Sequence, residues 1–81
     1  MKELIMQRLK ELNIDKNGIW HFAQWNKMKW EFTSAAREEF VKCTEELVEN
    51  GFFEALYNGV EAYDYKLTEK GYKALYGWDV D

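Results

Sequence analysis

SAAREEFVKCTEELVENGFFEALYNGVEAYDYKLTEKGYKAL, residues 34–75, carries the signals that decide the fold, in order. The apolar positions Ala36, Phe40, Cys43, Leu47 and Val48 fall on one face of an α-helix. Thr33 or Ser34 caps that helix by accepting a hydrogen bond from an orphan backbone N–H, and Glu38 and Glu39 lie near its positive dipole end. Asn50-Gly51 supplies a left-handed stop just after Glu49. Asn58-Gly59, flanked by alternating apolar residues, is a hairpin signal because both residues tolerate the positive φ of a type I′ turn. A two-residue loop there pairs Tyr57 with Val60, Ala55 with Ala62 and Phe53 with Asp64. On the other side it pairs Leu56 with Glu61, Glu54 with Tyr63 and Phe52 with Tyr65. The side carrying Phe52, Leu56, Tyr63, Tyr65 and Leu67 is the expected core face, and Phe40, Leu47, Phe52 and Leu67 are the expected core. Thr68 caps a last short helix in which Tyr72 and Leu75 point inward and which Gly77 ends.

Outward from this stretch, Lys2 to Leu12 places Leu4, Ile5, Leu9 and Leu12 on one helical stripe, with charged residues mainly outside it. Asn13 to Gly18 ends that helix, and Asn17-Gly18 is a turn signal. Asp15 to Gly18 has the opening of a calcium loop, but apolar Ile19 and Trp20 follow where oxygen ligands are needed. Ile19 to Phe32 satisfies two periods. Ile19, Phe22, Ala23 and Asn26 share a helix face, whereas Met28 to Phe32 alternates apolar with charged residues as a strand does. A short helix followed by an extended segment fits both. Trp20, Trp25 and Trp30 recur every five residues, about 140° apart round a helix of 3.6 residues per turn, so they cannot all be core within one helix. The plain expectation is two core rings and one on the surface.

At 81 residues the chain is expected to form one domain, residues 1–81, of a size that buries only about 60% of the surface its unfolded form exposes. Its 14 aromatics (Trp 4, Tyr 5, Phe 5) exceed what so small an interior hides, so some aromatic surface is expected outside. The single cysteine, Cys43, makes no internal disulfide, and Met1-Lys2-Glu3 leads into no apolar segment, so the expected setting is cytoplasmic. The net charge of −4 is unevenly distributed. Residues 1–32 hold six Lys/Arg against four Asp/Glu, a balance of +2. Residues 33–81 hold five against eleven, a balance of −6.

Tyr65-Lys66-Leu67-Thr68-Glu69-Lys70-Gly71-Tyr72 resembles the Y-x-L-T-x-K-G exit from the wing in winged-helix regulators of the MarR and PadR kind, and Asn50-Gly51-Phe52-Phe53 resembles the x-G-L-I that follows their recognition helix. The resemblance covers about residues 34–75. It implies a small winged-helix-like α+β domain, three to four helices with a β-hairpin wing in the C-terminal half. It further implies DNA-binding dimers, with the third helix in the major groove and the wing on phosphates or the minor groove.

No catalytic constellation is expected. His21, the sole histidine, has no predicted acid or nucleophile beside it, and one Cys with one His cannot assemble a zinc site from the usual ligands. No glycine-rich phosphate loop occurs, and no cofactor is implied. Cys43 lies in the apolar stripe and reads as a small buried hydrophobe. DNA binding has the resemblance in its favour and the charges against it. The helix over 34–49 offers Arg37 and Lys42 against five glutamates, and in the hairpin Glu54, Glu61 and Asp64 outnumber Lys66. For duplex DNA, the alternative, the candidate contacts are Lys27, Lys29, Ser34, Arg37 and Lys42. The leading expectation is a non-enzymatic acidic module that contacts a protein partner or a second copy of itself, possible uses being regulation or inhibition by occupying a basic surface. Its candidate contacts are the aromatics Trp25, Trp30, Phe53 and Tyr57 with Glu38, Glu45 and Glu49.

Overall fold

The computed structural model of the protein describes residues 1–57, 59 and 62–76. In chain order the elements are α1 (Lys2–Glu11), β1 (Ile19–Trp20), α2 (Phe22–Lys29), α3 (Ser34–Glu49), β2 (Phe53–Tyr57), β3 (Tyr63–Leu67) and α4 (Glu69–Tyr76). The three strands form one antiparallel sheet in the order β1-β3-β2. This is a small α+β domain with four helices and a three-stranded antiparallel sheet, the hairpin in its C-terminal half.

Helix α1 buries Ile5 and Leu9, one turn apart, while Leu4 turns out to solvent, contrary to its expected place in the stripe. The segment after the turn runs in the reverse of the expected order: the extended residues Ile19 and Trp20 come first, and the helix follows. Ile19 and Trp20 pair with Lys66 and Tyr65, so β1 occupies the β3 edge that β2 leaves free. Met28 to Phe32 is not a strand, because its backbone N–H groups are taken by α2 and its closing turn. Trp30 donates to Asn26, Glu31 to Met28 and Phe32 to Lys29. Trp20, on β1, and Trp25, on α2, are core and Trp30 is surface, the expected two-to-one division, although the three do not share one helix.

Helix α3 begins at the Thr33 cap, whose hydroxyl oxygen accepts from the Ala36 N–H at 3.4 Å. It ends where Gly51, at φ 83°, donates to the Val48 carbonyl and Phe52 donates to the Leu47 carbonyl. This double bond pattern satisfies two terminal carbonyls and needs the left-handed conformation that glycine adopts without strain. Lys70 reaches from α4 to donate to the Asn50 carbonyl at 2.7 Å, placing a cation at the negative end of α3. The buried face of α3 holds Phe40 and Leu47 and also Thr44. The Thr44 hydroxyl donates to the Phe40 carbonyl and accepts from Trp25 Nε1 at 3.1 Å, which is how a polar residue occupies this core.

The hairpin register differs from the expected one. Tyr57 stands opposite Tyr63, Ala55 opposite Tyr65 and Phe53 opposite Leu67, so five residues connect the strands instead of two. A slip of three positions is odd, and an odd slip exchanges the faces of a strand. Phe53 thus enters the core beside Leu67, while Phe52 is only half-buried and the expected inward positions Leu56 and Tyr63 leave the core. Fully burying a phenylalanine contributes about 1.5–3 kcal/mol, more than a turn preference supplies, so packing sets the register. The expected pairing at Val60 and Glu61, the φ of Asn58 and the Gly77 helix end lie outside the described residues. Phe40, Leu47 and Leu67 are buried as expected.

Asp64 leaves the hairpin to accept a hydrogen bond from the Phe22 N–H at 2.7 Å, so a β3 carboxylate caps the start of α2. Asp64→Ala is expected to lower stability by about 1–2 kcal/mol, a cap-sized loss, whereas Asp64→Asn keeps the acceptor and loses less. Thermal denaturation of the two variants checks this. Equal midpoints for Asp64→Ala and wild type remove Asp64 from this role.

Candidate interaction surface

The outward side of α3 is built by the same periodicity that buries Phe40, Thr44 and Leu47. Glu38, Glu39, Lys42, Glu45, Glu46 and Glu49 are all exposed. Arg37 is half-buried because its guanidinium lies over the Trp30 ring, 4.2 Å from the centroid. Lys29 stands 5.8 Å from the same ring and 5.5 Å from that of Trp25. Trp30 is 59% exposed at the end of α2, so two cations bracket an open indole. Arg37 also donates weakly to the Ser34 hydroxyl, at 3.5 Å.

Two shallow clefts follow one another along this helix. The first, about 390 Å³, is lined by Lys29, Arg37, Glu38, Val41, Lys42 and Glu45. The second, about 320 Å³, runs between α3 and the hairpin and is lined by Glu45, Val48, Glu49, Ala55, Tyr63 and Tyr65. Glu45 belongs to both. Burial, and after it the neighbouring Glu45 carboxylate, pushes the Tyr65 phenol up, so its hydroxyl stays neutral well into the alkaline range. Tyr57 and Tyr63 meet edge to face at 5.4 Å at the far end of the hairpin, 59% and 47% exposed.

Of the residues expected at a protein contact, Trp30, Tyr57, Glu38, Glu45 and Glu49 are exposed on the α3 and hairpin side. Trp25 and Phe53 are not available to a partner. Trp25 is held by Phe40, Tyr65 and Thr44, and Phe53 is turned inward by the hairpin register. Of the nucleic-acid candidates, Lys29, Arg37 and Lys42 share the first cleft, Ser34 lies beside Arg37, and Lys27 is exposed without lining the cleft. Exposed Tyr63 and half-buried Val48 line the second cleft and were not among the expected contacts. Tyr63 shares the face of Tyr65 and Leu67 but stands at its far end beside exposed Tyr57, beyond the reach of the core, and Val48 lies at the margin of the helix stripe.

A third cleft, about 390 Å³ and lined by Asp15, Lys16, Glu69, Tyr72 and Lys73, carries balanced charge, with Lys73 and Glu69 paired at 3.4 Å. Burial pushes the Cys43 thiol up and thereby disfavours the nucleophilic thiolate. Among the described residues no three His, Cys, Asp or Glu are placed to hold a metal ion, and no helix is long and apolar enough to cross a membrane. No protein-family model, curated protein or solved structure matches the chain.

Proposed function

We propose that this chain is a winged helix-turn-helix domain of the MarR/PadR-like kind that works by protein–protein contact through α3 and its wing. The element order and the β1-β3-β2 sheet support the superfamily assignment. The observation that carries the function is the exposed acidic side of α3, the helix that DNA-binding members insert into the major groove. A duplex carries a phosphate charge every ~1.7 Å, and a helix presenting five glutamates against Arg37 and Lys42 gains little from counterion release there. The same carboxylates, with Tyr57, Tyr63 and Trp30 beside them, suit a basic protein surface. A regulator or inhibitor that occupies such a surface fits this chemistry.

Titration with a labelled duplex and with a labelled arginine- and lysine-rich peptide, each at two salt concentrations, tests the proposal. The peptide is expected to bind in a salt-dependent way, and Glu45→Gln with Glu49→Gln weakens it. The duplex is expected to bind weakly with a shallow salt slope, and Glu38, Glu45 and Glu49 all changed to Lys raise its affinity without unfolding the chain. Submicromolar duplex binding at near-physiological salt that Arg37→Ala abolishes sinks the proposal and favours DNA.

A further inference from the structure

The cleft between α3 and the hairpin joins two carboxylates to two phenol rings. Glu45 and Glu49 come from successive turns of α3, Tyr63 and Tyr65 from alternate residues on one face of β3, and Val48 and Ala55 complete the lining. Ala55 stands opposite Tyr65 across the strands, and its methyl group leaves open the space that a larger side chain there fills. Burial, and after it the Glu45 carboxylate, pushes the Tyr65 phenol up, which sets that carboxylate close to the ring. Nothing in the chain's own folding calls for the two acids. Among the described residues neither has an ion-pair partner, whereas Glu31, Glu54 and Glu69 each have one. Glu49 ends α3, where a carboxylate opposes the helix dipole, and Glu45 repels it from one turn back. Both charges therefore work against the free helix.

We infer that this cleft takes an arginine side chain of the protein partner, its guanidinium lying against the tyrosine rings and donating to Glu45 and Glu49. The inference rests on the reading of this face as a protein contact and narrows the partner's chemistry. The occupant must be cationic, because Glu46, exposed on the same helix between the two acids, adds to the negative field, and the hairpin cation Lys66 is engaged by Glu54 at 3.6 Å. It must also reach carboxylates on two helical turns, with Cβ atoms ~5–6 Å apart, while resting on aromatic and apolar surface. A guanidinium meets both demands, since it is planar, presents five N–H donors in a fixed fork, is weakly hydrated and stacks on aromatic faces. A lysine ammonium is a compact, strongly hydrated charge that keeps the Coulomb attraction and gains little from the rings. At about 320 Å³ the cleft lies at the lower end of the ~300–1,000 Å³ of ligand pockets, room for one long side chain and not for a helix. The Trp30 end of α3 offers no such place, because Lys29, Arg37 and Lys42 beside that ring repel a further cation.

Two labelled peptides of one sequence, with arginine at every basic position in the first and lysine in the second, are titrated with the whole chain at ~0.1 M sodium chloride and followed by fluorescence anisotropy. The arginine peptide is expected to bind about tenfold more tightly than the lysine peptide. Ala55→Leu fills the cleft and Tyr63→Ala removes one of its rings, and neither changes the charge. Each is expected to bring the arginine peptide to within about twofold of the lysine peptide. Glu45→Gln with Glu49→Gln is expected to weaken both peptides by about tenfold or more. Circular dichroism verifies that each variant is folded. If Ala55→Leu disturbs the hairpin, Tyr63→Ala repeats the test on an exposed side chain. Equal affinity of the wild type for the two peptides, an arginine preference that a folded Ala55→Leu or Tyr63→Ala leaves intact, or binding indifferent to the loss of both carboxylates overturns the arginine cleft and leaves the protein-contact reading standing. Failure of both peptides to bind the wild type overturns that reading as well.

Discussion

Phe40→Ala is expected to remove about 3–5 kcal/mol of stability, the range for truncating a fully buried phenylalanine. Phe40 is the point at which three aromatic rings from outside α3 meet that helix. Its ring lies 5.3 Å from Trp25, 5.5 Å from Phe32 and 6.4 Å, edge-on, from Trp20. Those neighbours belong to β1, to α2 and to the turn before α3, and rigid indoles cannot collapse into the space a benzyl group leaves. Aromatic pairing adds to the burial that is lost. A chain of this size has a total stability of roughly 4–12 kcal/mol, at ~0.05–0.15 kcal/mol per residue, so the variant loses a large part of it. The thermal midpoint is expected to fall by roughly 12–40 °C, taking ~4–8 °C per kcal/mol for a domain this small. Tryptophan fluorescence follows the change because two of the contacts are indoles. An unchanged midpoint in Phe40→Ala shows that α3 is rotated away from this core.

Gly71→Ala is expected to destabilise the domain by about 2–4 kcal/mol, although alanine is the better helix former. Within α4 alone the substitution gains up to about 1 kcal/mol of propensity. Against that gain stands a collision. A Cβ on Gly71 meets the carbonyl oxygen of Phe52 and comes within 2.8 Å of Leu67 Cδ1. The Phe52 carbonyl is held because it accepts from the Thr68 N–H at 3.2 Å, and the Thr68 hydroxyl, which donates to the Gly51 carbonyl at 2.6 Å and lies 3.1 Å from that of Phe52, ties down the same segment. That hydroxyl oxygen in turn accepts from the Gly71 N–H at 3.0 Å and so caps α4. Relief of the clash therefore moves α4 off the end of α3 and breaks bonds at both helix termini. Chemical denaturation of Gly71→Ala decides between the two effects. A variant more stable than wild type means that propensity wins and that α4 does not approach the Gly51–Phe52 segment closely.

The acidic side of α3 follows from periodicity, since five glutamates fall on one side of a helix whose other side is apolar. The tyrosine-lined half of the candidate surface does not, because Ala55 joins the face of Tyr63 and Tyr65 only in the hairpin register that the structure adopts. Trp25 and Phe53 show the converse. As isolated residues they suited an exposed aromatic patch, and only the packing of α2 on α3 and the slip of β2 past β3 take them inside.

What the sequence by itself determined were features carried by neighbours within a turn or two. These are the Thr33 cap, the Gly51 stop, the span of α3, the Thr68 cap and the burial of Phe40, Leu47 and Leu67. Caps and stripes need only residues three or four positions apart, so local chemistry writes them into the chain. Tertiary structure alone decided the pairing of β1 with β3, the five-residue hairpin connection and the requirement for glycine at position 71. The physical reason is that each brings together groups distant in sequence. Burying Phe53 beside Leu67 outweighs the local turn preference of Asn58-Gly59, and the carbonyl that crowds Gly71 comes from Phe52, in the connection between α3 and β2.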